Sequence, residues 1–303
     1  MQPSVSKGSE KREVPVCEWG VRLVLWVYAH LGRRVAVWLV GGIMLCAYPF
    51  LRKARRASRL YRQRWREHTG RPCCSGFAHL YTFACTMADR LACRDHLFGM
   101  DEVEVRTRAE YEELCARYRR REGVFCLASH LGCFDMLRVL FEDPAQGKGG
   151  EIHVFMDTAA TVQFARMQSR YASRSDLFVH SVEELGLALS MEMAQKLDEG
   201  AIVVMAGDRV WRAGAKANIR VPFLGCEADF PRGCFKWAAA LQCPVYTFCL
   251  TEQGAHYDLR VRCLSADGTA PAQFLAEAYA RTLEEWCVMY PQNWFNFYPF
   301  WGE

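Results

Sequence analysis

From residue 17 to residue 51 the chain is apolar with few interruptions, and Arg33 and Arg34 divide this stretch into a first piece over 21–31 and an uncharged second piece over 35–51. As a helix the second piece reaches roughly 25 Å, near the lower limit for crossing the hydrocarbon core of a bilayer. Gly41, Gly42 and Pro49 weaken a straight helix there, and Trp26 and Trp38 suit a membrane interface. The stretch starts late, is long, and is not followed by a small-residue cleavage pattern, so it reads as a retained anchor rather than a cleavable signal peptide.

Beyond residue 123 the pattern changes to short apolar runs alternating with longer stretches of three- and four-residue periodicity, which predicts an α/β layer structure. Strands are expected over 124–129, 152–156, 177–180, 201–206, 245–250 and 257–263. Helices are expected over 134–141, 182–197, 234–241 and 272–290, with Gly200 and Pro291 as stop signals. Residues 77–118 read as helical cover for the sheet. The acidic stretch 101–113 separates front from body, without a linker that demands an independent second domain.

Charge placement adds to this picture. Of the 38 Lys and Arg and 34 Asp and Glu, 15 basic and four acidic residues precede residue 72, so the front carries about +11 and the rest about −7 of the net +4. The run Arg52, Lys53, Arg55, Arg56, Arg59, Arg62, Arg64, Arg66 and Arg71 is opposed only by Glu67. Beside an apolar segment such a run attracts anionic lipid and biases its flank to the cytoplasmic side. A solvated basic helix and a nucleic-acid phosphate site are the alternatives, and the apolar neighbour favours membrane over nucleic acid. The 15 cysteines are odd in number and scattered without zinc-ligand spacing, which reads as reduced thiols rather than a disulfide or metal framework.

The sharpest chemical feature is Ser129-His130-Leu131-Gly132-Cys133-Phe134-Asp135, where a buried strand gives way to an amphipathic helix. Residues five apart do not share a helix face, but a strand end with a Gly turn can fold the imidazole of His130 back onto the carboxylate of Asp135. An imidazole so held accepts a proton from a hydroxyl near neutral pH. Alone, such a pair is most often structural. Gly207-Asp208-Arg209 follows the apolar run 201–206, again at a strand end, where open α/β sheets place ligands. Then come Val221-Pro222-Phe223-Leu224-Gly225, the block from Glu227 to Gly233, and the aromatic ending from Pro291 to Trp301. The aromatic ending reads as core or groove wall. Cys126 and Cys133 offer a thiol-nucleophile alternative, a thioesterase or a ping-pong acyltransferase, against which burial of Cys126 in a strand argues. His153, His180 and His256 lack metal-ligand spacing and read as ordinary polar residues.

These blocks, in this order, resemble the bacterial late lipid A acyltransferases and their relatives in the lysophospholipid acyltransferase superfamily, over most of the chain from about Cys17 to Trp301. The resemblance implies a mixed sheet flanked by helices with a hydrophobic acyl groove, an anchor over 1–71 and an acyltransferase domain over 72–303. It implies His130 as the catalytic base and Asp135 as its acidic partner, where many lipid A acyltransferases have Glu. Arg166, with Arg170 as its rival, and Asp208, Arg209 and Arg232 are implied as substrate-binding residues. The implied reaction needs no cofactor or metal. A fatty acyl group passes from an acyl carrier protein or coenzyme A thioester to a lipid or glycolipid hydroxyl, at the cytoplasmic side of a bacterial inner membrane. The oxyanion would be met by backbone amides near Gly132 or Gly233. The Asp in place of Glu and the Phe-Asn-Phe-Tyr ending argue against assigning lipid A as the acceptor. The opposing expectation is a lipid-binding or scaffold protein that keeps the fold without turnover.

Overall fold

A computed structural model of the chain describes residues 18–94, 97, 100–133, 150–156, 177–210, 217–298 and 300–301. Its centre is a seven-stranded mixed sheet. The strands are β1 (Val103–Val105), β2 (Val124–Ala128), β3 (Ile152–Met156), β4 (Leu177–Ser181), β5 (Ile202–Ala206), β8 (Val245–Gln253) and β9 (His256–Ser265). They lie in the order β1-β9-β8-β2-β5-β3-β4. Only β8 and β9 pair antiparallel; every other neighbouring pair is parallel. Two further strands, β6 (Asn218–Phe223) and β7 (Cys226–Pro231), form a separate antiparallel hairpin.

The apolar run Val124-Phe-Cys-Leu-Ala becomes the centre of the sheet because all five of its residues are buried, and only a strand covered on both faces can be apolar throughout. Phe125 and Leu127 join Val203 and Met205 of β5 on one face. There they meet α5 (Leu187–Asp198), α6 (Arg232–Ala240), α7 (Ala272–Met289) and the β6–β7 hairpin. Val124, Cys126 and Ala128 face the other way, with Ile202 and Val204, onto Leu114 and Tyr118 of α4 (Arg108–Arg119). The two-residue alternation of strand side chains thus splits one apolar run between two cores.

The expected sheet strands are present, β8 and β9 being longer than their apolar runs predict. One expectation needs correction, and two strands come in addition to those expected. The stretch 77–118 is not helical throughout: α3 (Gly76–Arg94) and α4 are separated by β1, which pairs with β9. The blocks around Val221 and Ala228 are strands, since Leu224 and Gly225 take positive φ and close a hairpin between them. The helix expected over 134–141 lies outside the described residues.

The apolar front is α1 (Glu18–Ala47), broken at Gly32, whose φ of 80° and ψ of 169° are non-helical. Glycine takes this conformation without the Cβ penalty other residues would incur. Each half is about 14 or 15 residues and so about 22 Å long, short of the roughly 30 Å of a hydrocarbon core. The break lets both halves pack against α3: Val24, Val40 and Met44 share a buried cluster with Leu80, Cys85 and Ala88. Directly after the break, the Arg33 guanidinium grips the buried Asp89 of α3, with Nη2 to Oδ2 at 2.7 Å and Nε to Oδ1 at 3.0 Å. Asp89 also accepts from the hydroxyls of Tyr28 (3.1 Å) and Tyr257 of β9 (2.7 Å). One carboxylate therefore ties α1, α3 and the sheet together.

α2 (Arg52–Thr69) is amphipathic, with Ala57, Tyr61 and Trp65 buried at four-residue spacing. Tyr61 and Trp65 enter the main core, and the Trp65 indole donates to the Cys287 carbonyl at 3.0 Å. The packing is thus continuous across residue 71, where the sequence suggested a division between anchor and body. The outward face of α2 carries Arg52, Lys53, Arg56, Arg59 and Arg66. Along α1, Trp19, Leu23, Trp26, Leu31, Val35, Trp38, Ile43 and Leu45 are exposed, with Phe50 just after it; Trp38 is 81% and Phe50 83% exposed.

Replacing Asp89 with Ala would leave two buried hydroxyls without their acceptor and a largely buried guanidinium with only Glu252 and the Gly254 carbonyl to meet it. Loss of one partner of a buried pair costs about 3–5 kcal/mol. The expected result in detergent is a lower urea midpoint by tryptophan fluorescence; an unchanged midpoint would show that this carboxylate does not hold the front end to the body.

Candidate functional site

β2 and β5 are adjacent and parallel, with Ala128 opposite Ala206. Residues 130 and 208 each stand two positions past that pair, so the register alone sets His130 and Asp208 side by side at the carboxyl ends of two central strands. His130 Nδ1 lies 2.7 Å from Asp208 Oδ1. Asp208 Oδ2 accepts from the backbone N–H of His130 at 2.8 Å and from the Trp294 indole at 3.0 Å. An ionised carboxylate only accepts, so Nδ1 carries the proton and the neutral ring has its lone pair on Nε2. The Asp208 side chain is fully buried, whereas the imidazole is 20% exposed.

Burial by itself pushes the Asp208 carboxyl up. The positive charge available on His130, the His130 ring and backbone N–H groups and the Trp294 indole outweigh it, and Asp208 is held below the usual carboxylate range. It is therefore a stable anion, able to fix the tautomer and to stabilise an imidazolium.

The turn after His130 is shaped by Gly132, at φ 76°. A Cβ there would stand 1.9 Å from the Leu250 carbonyl oxygen of β8. Gly132 N–H donates to Asn293 O at 2.8 Å, Cys133 N–H to Leu250 O at 2.9 Å, and Phe295 N–H to His130 O at 2.8 Å. The His130 turn is thus clamped between β8 and the aromatic ending. That ending also holds the other strand end: Asn296 Nδ2 and Tyr298 OH each donate to the Asp208 carbonyl at 3.2 Å. Trp294, Phe295 and Phe300 are buried, so this segment is core as the sequence suggested, and it is also the back wall of the site.

The residues singled out by sequence divide as follows. His130 and Asp208 meet. Asp208 has the position on the imidazole that was expected of Asp135; its carboxylate faces inward to His130 and Trp294 instead of outward to a substrate head group. Asp135 and Arg166, with its rival Arg170, lie outside the described residues. Arg209 is exposed beside the pair, its guanidinium 5.8 Å from the Tyr298 ring centroid. Arg232 opens α6 and braces the hairpin, Nε and Nη2 donating to the Asn218 carbonyl at 3.1 and 2.8 Å. The Gly132 amide is engaged by Asn293, whereas Gly233 stands in the first turn of α6, where amides have no intrahelical acceptor. Cys126 and Cys133 are both buried in the core on the α4 face, and burial pushes the Cys126 thiol up. His153 is buried, with Nδ1 3.0 Å from His180 Nε2 and Nε2 3.1 Å from Glu151. Glu104, His256 and Asp258 converge at the β1–β9 edge around the Arg106 guanidinium, which lies 2.8 Å from Glu104 and 2.7 Å from Asp258.

Sequence reasoning did not find Trp294 or His79 as supports of the site. His79 of α3 is buried between Ser58 Oγ, 2.9 Å from Nδ1, and the Trp294 carbonyl, 2.9 Å from Nε2. Their signal was present only as a polar residue amid apolar neighbours in α3 and an Asn-Trp in an aromatic run. No protein-family model matches this chain, and no curated protein matches it.

Burial lowers the His79 pKa to about 4; its hydrogen bond to Trp294 opposes this and the charge of Arg62 adds to it. Between an unfolded value near 6.5 and the folded value, the unfolded imidazole holds a proton that the folded one does not, so stability rises with pH across that window. Going from pH 7 to pH 4, His79 alone is expected to remove about 3 kcal/mol. Urea titrations over this range should show the slope flatten in His79→Gln; an equally steep profile in the variant would assign the acid sensitivity elsewhere.

Proposed function

We propose that this protein is a membrane-associated acyltransferase that moves a fatty acyl group from a thioester donor to a hydroxyl of a lipid or glycolipid. The observation that carries the reading is the His130–Asp208 pair: a partly exposed imidazole whose Nδ1 is held by a buried anion at the ends of two central parallel strands. In this reading Nε2 of His130 takes the proton of the acceptor hydroxyl as its oxygen attacks the thioester carbonyl. Asp208 keeps the reactive tautomer and stabilises the imidazolium. Collapse of the tetrahedral intermediate breaks the C–S bond, and the departing sulfur takes the proton back from His130. No covalent enzyme intermediate forms, in keeping with the burial of Cys126 and Cys133.

The resemblance to late lipid A acyltransferases supports the same chemistry, with an acyl carrier protein or coenzyme A as donor. Arg209, exposed beside the pair, suits the phosphate of a donor or an acceptor head group. Asp208 takes the part on the imidazole that the resemblance implies for Asp135, and Arg166 keeps the substrate-binding role it implies. The exposed apolar face of α1 and the basic face of α2 suit an anionic membrane surface, the first entering the interface and the second meeting the head groups. With two short halves joined at a break, α1 fits an interfacial seat better than a straight span. The 14 free cysteines among the described residues fit the cytoplasmic side of a bacterial inner membrane.

The reading is tested with purified protein in detergent, an acyl-thioester donor and a panel of lipid acceptors, following thiol release and acylated product. His130→Ala should lower the rate about 100-fold or more, and Asp208→Asn should lower it markedly while the protein stays folded. Wild-type turnover in folded His130→Ala would end the proposal. For the membrane surface, exchanging Arg52, Arg56, Arg59 and Arg66 for Gln should weaken sedimentation with phosphatidylglycerol vesicles by about 1 kcal/mol per charge near the surface. Equal binding by the variant and the wild type would remove the electrostatic part of the argument.

A further inference from the structure

The loop between α2 and α3 carries Cys73 and Cys74, which the acyl-transfer reading does not use. Their sulfurs are 3.8 Å apart, and both side chains are half-buried rather than sealed in the core. Cys74 Sγ also lies 3.9 Å from the Pro291 carbonyl oxygen. One S–H therefore faces two acceptors, the Cys73 sulfur and that carbonyl. Arg62 of α2 reaches the same loop, Nη1 donating to the Cys74 carbonyl at 3.3 Å. A thiol beside a second thiol and a guanidinium has the surroundings that favour thiolate.

We infer that Cys73 and Cys74 form a reactive dithiol, Cys73 the attacking thiolate and Cys74 the resolving thiol, whose co-reactant is a small-molecule disulfide of the glutathione class. The electrostatic surroundings support the division of labour. The hydrogen bond from Cys74 lowers the Cys73 thiol below its ordinary range; partial burial opposes this, and Arg62 and Arg66 add to it. The same bond and burial drive Cys74 the other way. Cys73 is thus the more readily ionised of the two thiols, and Cys74 the one that keeps its proton longer.

The chemistry balances without a metal or further oxidant. The Cys73 thiolate attacks one sulfur of the disulfide, forming a protein–glutathione S–S bond and releasing one thiolate. Cys74, on losing its proton, attacks the Cys73 sulfur, forming the Cys73–Cys74 bond and releasing the second thiolate. Two protein thiols are oxidised and one small disulfide is reduced to two thiols. Adjacent Cα atoms are about 3.8 Å apart, under the usual 4.4–6.8 Å of a disulfide, so the product is strained and readily reduced again. The inference is independent of the acyl-transfer reading, because none of its readouts uses activity.

Limited alkylation of the full-length protein at pH 7, followed by peptide mass spectrometry, tests it. Cys226, another half-buried thiol, in β7, is the internal reference. Cys73 should be modified severalfold faster than Cys226, and Cys74→Ala should slow it. Incubation with oxidised glutathione should give a peptide lacking two hydrogens in the wild type. It should give a stable glutathione adduct on Cys73 in Cys74→Ala, and neither product on Cys74 in Cys73→Ser on the same time scale. The inference is overturned if Cys73 reacts no faster than Cys226, if Cys74→Ala leaves its rate unchanged, or if glutathione disulfide leaves both thiols reduced.

Discussion

A single carboxylate with no access to solvent organises the site. Asp208 is stable as an anion only because three donors converge on its side chain: the His130 ring, the His130 backbone and the Trp294 indole. Two more, from Asn296 and Tyr298, fix its carbonyl. Buried charge is costly unless it is fully hydrogen-bonded, so every one of these groups must be in position at once. That requirement explains why the sheet register, the Gly132 turn and the aromatic ending form one unit. A shift of any of the three would take at least one donor from an acceptor in a region closed to water.

The sheet was legible because its strands are continuous apolar runs bounded by polar turns, the mark of strands covered on both faces. β1 was not, since three residues are too few to show a period and its pairing with β9 is entirely non-local. The β6–β7 hairpin was hidden by Pro222 and by a turn built on Leu224, a residue type that rarely takes positive φ. At the site, His130 and the strand-end position of Asp208 were both readable. Their partnership was not, because proximity in sequence favoured Asp135, whereas parallel pairing joins strand ends separated by 78 residues. Once β2 and β5 are known to be parallel neighbours in this register, the pairing follows from counting two residues past Ala128 and Ala206.

A second buried carboxylate, Asp89, plays the corresponding part for the front of the chain. Arg33 was legible as an interruption of an apolar stretch, but the break falls one residue earlier, at Gly32, and the guanidinium turns inward to Asp89. The result is an apolar helix fastened to the body by charge, while its outer face is exposed among the described residues. α2 combines the same two tasks on opposite sides, Tyr61 and Trp65 inward and arginines outward. The orientation of the body against any apolar surface is thereby set by rigid packing instead of by a linker.

The donor on Asp208 from Trp294 also bears on how the protein is made. His130 is in place on β2 long before synthesis reaches residue 294, and the strand ends can pair before then, yet the anion between them lacks its indole and the clamp on the His130 turn. The site is therefore completed by nearly the last segment to leave the ribosome among those described. Until that segment folds in beneath the histidine, a nascent chain holds the two strand ends without the donor and the clamp that fix them.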